Sequence, residues 1–214
     1  MVWDIWVRLG HWAIVGMIAF QFYSGEELDL RDPHAWVGIA LLSWLTFRLI
    51  WGFIGPTHAR FGDFVAGPKA IIESFQKLFR RQHEPVAGHT AAGGLGVIAL
   101  MGLIGAMAIT GLISTDDVFY DGPLNFLVSS DTASTATSVH HLLSKVLLVT
   151  IVGHLAAIFW HQRIMKEKLI QGMWHGRKPG ATAPIARRMS VLGGAVLLAS
   201  AALVAGSLWV WGQF

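Results

Sequence analysis

Five stretches of the chain are nearly free of charge and long enough to cross the roughly 30 Å hydrocarbon core of a bilayer. They run over Ile5–Tyr23, Ala35–Ile54, Ala92–Ser114, Val139–His161 and Val191–Trp211. Turn formers separate them: Ser24-Gly25, Gly55-Pro56, Asp121-Gly122-Pro123 and Lys178-Pro179-Gly180. Gly67–Gln82 has a different pattern. There Ile71, Ile72, Phe75, Leu78 and Phe79 recur at helical spacing among Lys69, Lys77, Arg80 and Arg81. That spacing predicts a short amphipathic helix lying on a membrane face. The whole pattern predicts an all-α polytopic membrane protein, with no soluble domain, internal repeat or low-complexity segment.

Composition agrees. The 214 residues are 54% hydrophobic and 14% charged, with a mean hydropathy of +0.54. A soluble fold this apolar would have too little polar surface to cover its core. Cysteine is absent, which excludes disulfides, iron–sulfur clusters and covalent haem attachment through cysteine. The first apolar stretch carries Arg8 and His11 and lacks a small-residue cleavage motif, so it is expected to be a retained helix. A net charge of +3 does not argue for a nucleic-acid partner. Its distribution is more telling. The loops Gly25–His34 and Thr115–Ser138 hold Glu26, Glu27, Asp29, Asp32, Asp116, Asp117, Asp121 and Asp131 against the single base Arg31. The other loops hold Arg60, Lys69, Lys77, Arg80, Arg81, Arg163, Lys166, Lys168, Arg177, Lys178, Arg187 and Arg188. Basic residues stay on the cytoplasmic side. The amino terminus is therefore expected inside and the carboxyl terminus outside.

That topology sorts four intramembrane histidines by depth. His11 and His154 fall toward the cytoplasmic side, His34 and His140 toward the outside. Two imidazoles facing each other across a bundle satisfy both axial positions of a low-spin haem iron, which favours electron transfer over oxygen binding. The expected pairs are His11 with His154 and His34 with His140. His140 and His154 are fourteen residues apart on one apolar stretch. In a helix they share nearly one face, about 21 Å apart along the axis. His141 competes with His140, but thirteen residues would turn its side chain roughly 140° from the face of His154. A zinc or non-haem iron site would need ligands converging on one ion, and two groups at different depths do not suit that. A single buried histidine is often only a packing residue. Four at matched depths make that reading a poor one, because ionisable groups in the membrane are costly. Gly38, Gly93, Gly94, Gly96, Gly102 and Gly105 would let a flat cofactor approach, although ordinary helix packing explains any one of them.

Several stretches resemble bacterial di-haem b-type cytochromes, the cytochrome b561 family that includes the membrane cytochrome subunits of nickel–iron hydrogenases. They are VWDIWVRLGHW from Val2, HAWVG from His34, FRLIWGFIGPTHARF from Phe47, GHTAAGG from Gly88 and HHLLSKVLLVTIVGHLAAIFWH from His140. The resemblance runs through about Lys178. It implies a four-helix haem-binding bundle over residues 1–178, with a linker and fifth transmembrane helix over 179–214. It also implies two haems b on His11, His34, His140 and His154, and quinone-linked electron transfer in a bacterial inner membrane.

Haem propionates want cations near the membrane edge. Arg8, Arg48 and Lys145 are the candidates, with snorkelling to headgroups the ordinary alternative. A quinone site needs a proton-exchanging group beside an apolar slot. His58, Arg60, His89 and His161 are expected to gather for it on the cytoplasmic face. His83 and His175 receive no role. The expected protein is an electron-transfer protein or the cytochrome subunit of an oxidoreductase complex. Its partners would be membrane lipid, the quinone pool and a redox protein such as a c-type cytochrome or hydrogenase-like subunit. One rival is a stand-alone oxidoreductase acting on superoxide or another small acceptor, which the acidic outer loops disfavour. Another is a membrane anchor with a structural haem.

Overall fold

Helix ends fall where the sequence supplies a cap or stops being apolar. A computed structural model describes residues 2–80, 82, 88–118, 120–177 and 187–212. Among these residues lie eight α-helices: α1 (Ile5–Ser24), α2 (Arg31–Ile54), α3 (Phe61–Phe64), α4 (Pro68–Phe79), α5 (Ala91–Ile113), α6 (Ser130–Arg163), α7 (Leu169–His175) and α8 (Arg187–Gly212). Five helices are long and apolar enough to cross a membrane. They are the five that hydropathy predicts. The amphipathic segment appears as α4, started by Pro68 in the first turn, where a missing N–H costs nothing. The predicted turn at Lys178-Pro179-Gly180, the domain boundary at 178, Arg81 and His83 lie outside the described residues.

Two helices exceed their predicted spans. α2 begins at Arg31, before Ala35, and α6 begins at Ser130, well before Val139. The added part of α6 is polar but helical. Ser129 caps it, accepting the Thr132 N–H at 3.3 Å. Thr135 and Ser138 then bond back to the carbonyls of Asp131 and Ser134, at 2.8 and 3.2 Å. Hydropathy sees only the part of a helix that meets lipid.

The chain divides into two compact units, Met1–Gly10 with Arg48–Leu100 and Thr150–Ala195, and His11–Phe47 with Met101–Val149 and Val196–Phe214. The first is organised around a buried carboxylate. Asp4 is only 3% exposed. Its Oδ1 accepts the N–H groups of Trp6 and Val7, at 2.9 and 3.1 Å, capping α1. Its Oδ2 accepts the indole N–H of the fully buried Trp51 at 3.1 Å. Gly176 ends α7 at φ +71°, a left-handed cap that glycine favours. A Cβ there would also crowd the Trp3 carbonyl, at 2.7 Å. In the second unit, Ile39 of α2 packs with Val204 and Leu208 of α8, and Leu42, Leu112 and Leu124 surround them. The fifth helix therefore contributes to this core. Many apolar side chains remain exposed on the long helices, such as Phe53, Val149 and Leu198, as lipid-facing surfaces require.

Candidate haem site

In the second unit the imidazoles of His34 on α2 and His140 on α6 face each other across a cavity of about 360 Å³. Their ring centres are 6.4 Å apart and the planes are inclined at 68°. Each ring has its Nδ1 engaged. Ser24 Oγ lies 2.9 Å from His34 Nδ1, and Thr110 Oγ1 lies 2.9 Å from His140 Nδ1. Both Nε2 atoms are thereby kept for another partner. Two imidazoles bound to one iron through Nε2 would hold their ring centres about 6 Å apart, from two metal–nitrogen bonds of about 2 Å and two ring radii of about 1 Å. The observed spacing fits. The cavity is also within the size range of cofactor sites and is lined mostly by apolar groups, including Ile39, Leu42, Ile104 and Met107.

His141 borders the same cavity, but the ring that faces His34 is that of His140. Of the glycines expected to admit a flat group, Gly38 lines this cavity, joined by Gly25 and Gly111, which sequence reasoning did not select for it. Arg31 and Tyr120 also line it without having been assigned a role. Arg31 pairs with Asp116 at 2.9 Å. Burial raises the Tyr120 pKa above the usual phenol value, and nearby Asp32 and Asp121 raise it further. The phenol therefore stays a hydrogen-bond donor at any physiological pH. Lys145 is exposed. His11, also in this unit, meets Trp12 edge to face at 5.3 Å.

The first unit holds His154 on α6, partly buried, and the histidines expected at a quinone site. These form two groups. His58 Nδ1 lies 2.9 Å from Asp63 Oδ2, Arg60 donates to the Gly55 carbonyl at 2.6 Å, and His89 sits between Trp3 and Phe64, at 4.6 and 4.9 Å. His161 instead pairs with Glu167 at 3.0 Å and lines a separate cavity of about 180 Å³ with Glu73, Lys77 and Thr90. Arg48 is buried against Phe61 and Phe64, 5.3 and 5.9 Å from the ring centres. Arg8 lies beside Gly176. Among the described residues, no three His, Cys, Asp or Glu side chains gather as an ion site. The metal chemistry on offer is that of facing imidazoles.

A family model described as prokaryotic cytochrome b561 matches residues 2–176. The chain belongs to that family. No curated protein and no solved structure matches it. As a prokaryotic cytochrome b561, the protein is a multi-pass bacterial membrane protein that carries b-type haem and transfers electrons through it across the membrane. Membership also explains the surface of this cytochrome b561, whose long helices present aliphatic side chains outward to lipid.

Proposed function

We propose that the chain binds two haems b, one between His34 and His140 and the other between His11 and His154. Electrons then pass between the quinone pool and a redox partner protein at the opposite face of a bacterial inner membrane. The observation that carries the outer site is the 6.4 Å ring separation with both Nδ1 atoms already bonded. The inner pair rests on the sequence alone: the positive-inside rule gives His11 and His154 matched depths, and His154 follows His140 by fourteen residues. When bound, the haem iron supplies a one-electron ferric/ferrous couple that two imidazoles keep low-spin. The protein supplies ligands, orientation and a dry surround.

By the positive-inside rule the base-rich loops are cytoplasmic, the amino terminus with them, and the carboxyl terminus is periplasmic. Quinone exchange is assigned to that cytoplasmic side. His161 with Glu167, and His58 with Asp63, supply imidazole–carboxylate pairs able to exchange a proton. Arg60 lies between the two members of the second pair in sequence, and His89 packs on Phe64 in the same unit. Arg8, Arg48 and Lys145 are the candidate propionate partners, and Arg8 and Arg48 belong to the base-rich unit. The acidic outer loops suit a cationic partner such as a c-type cytochrome. The boundary near residue 178 would separate the haem-binding part from a linker and the fifth helix.

Pyridine haemochrome quantification of the purified chain tests the core of this proposal. Two non-covalent haems b per chain are expected, and one would overturn it. Reduction by a quinol analogue in His11→Ala tests the direction of entry. The outer haem should then be reduced far more slowly than in the wild type. An unchanged rate would place quinol entry on the outer side.

A further inference from the structure

The two facing imidazoles rest on matching seats. At His34 the neighbours are Ser24 and Gly25, at the end of α1. At His140 they are Thr110 and Gly111, in the last turn of α5. In each seat a hydroxyl lies 2.9 Å from Nδ1. In each, the glycine leaves the adjacent ring carbon room: a Cβ on Gly25 would stand 3.4 Å from His34 Cε1, and one on Gly111 3.2 Å from His140 Cε1.

At Thr110 the proton can be placed. A threonine hydroxyl has one hydrogen to give. Here it goes to the Ala106 carbonyl at 2.8 Å, with the Met107 carbonyl at 3.1 Å as a second acceptor. With the hydrogen on the Ala106 carbonyl, the oxygen accepts from His140, and His140 carries its proton on Nδ1. The lone pair stays on Nε2, the form an iron ligand needs. Such outer partners fix ring orientation and make the imidazole a stronger donor.

We propose that Thr110 and Ser24 are positioning residues for the outer haem, holding both ligands in the Nδ1–H form and lowering the reduction potential. The inference rests on the reading of His34 and His140 as its ligands. A stronger imidazole donor favours ferric over ferrous iron, so loss of the hydroxyl should raise the potential.

Redox titration and low-temperature EPR of the full-length holoprotein test this in Thr110→Val, Thr110→Ser and Ser24→Ala. Valine keeps the branched shape and removes the hydroxyl. Thr110→Val should shift one haem's ferric-to-ferrous affinity ratio by about three- to tenfold toward ferrous, tenfold being about 59 mV for one electron. That haem's low-spin ferric signal should move as well, and the other haem should not change. Ser24→Ala should shift the same haem in the same direction, and Thr110→Ser should restore wild-type values. Unchanged potentials and signals in both Thr110→Val and Ser24→Ala would overturn the proposal. If His140→Ala then still removes one haem, the ligand assignment survives and only the role of the hydroxyls falls. If His140→Ala removes none, the ligand assignment itself falls. Should Thr110→Val lose the haem outright, retention in Thr110→Ser supports the proposal. Loss in both would assign the effect to the side chain's bulk and overturn it.

Discussion

The two units of the chain differ in charge and in what their histidines do. The unit built on 11–47, 101–149 and 196–214 carries eight carboxylates and two bases, while the other carries five carboxylates and fourteen bases. In the acid-rich unit, His34 and His140 face each other and bond to neutral hydroxyls. In the base-rich unit, His58 and His161 bond to carboxylates. The Nδ1 partner is an uncharged hydroxyl in one unit and a carboxylate in the other. Under the proposed function, that difference in partner separates the iron-binding histidines from the quinone-site ones in the same chain.

The comparison breaks most visibly at the facing pair. His140→Ala and His34→Ala should each remove the same one of two haems completely, and His141→Ala should leave both, as read by haem quantification. Loss in His141→Ala with retention in His140→Ala would put the wrong imidazole on the iron. A smaller effect is expected at the seat. Gly111→Ala places a Cβ 3.2 Å from the His140 ring, whereas at Gly102 nothing lies within 4 Å. Haem retention during dilution should fall about tenfold in the first variant, in keeping with the effects of outer-shell changes, and stay unchanged in Gly102→Ala.

The base-rich unit can be broken without touching those ligands. Asp4→Ala removes the α1 cap and the acceptor of the Trp51 indole. It should lower stability in detergent by about 1–3 kcal/mol, measured by thermal unfolding, with the outer haem spectrum of the folded protein intact. The smallest effect concerns the acidic loops. Association with a cationic c-type cytochrome should weaken by a few fold between low and physiological salt. An association rate that does not vary with ionic strength would remove the electrostatic part of the contrast.

The five spans and α4 were legible because lipid-facing helices and amphipathic ones leave strong periodic signals. The approach of the His34 ring to that of His140 was legible from the sequence order of the helices and the places of the two histidines on them. The first nine residues of α6 were hidden, because polar helical turns look like loop in a hydropathy profile. In the sequence Ser24 is half of a Ser-Gly turn, and Thr110 is a lone hydroxyl inside an apolar stretch. A hydroxyl's role depends on which side chain another helix brings to it, and no local pattern carries that information. Arg31 and Tyr120 were obscured for the same reason, since the cavity they line is made by residues far apart in the chain. The separation of His161 from His58, Arg60 and His89 was likewise invisible until the intervening helices were in place.

The polar start of α6 has a further consequence. At 1.5 Å per residue a 34-residue helix is about 51 Å long, well beyond the bilayer's roughly 30 Å of hydrocarbon. Its hydroxyl-rich turns end at Ser138, two residues before His140. The change from hydroxyl-rich to apolar turns therefore falls within two residues of His140. A thicker bilayer would drag serine and threonine turns into hydrocarbon, and a thinner one would lift the histidine toward water, unless the helix tilts to compensate. On the proposed reading of His140 as an iron ligand, bilayer thickness becomes a mechanical variable acting on that ligand's end of the helix.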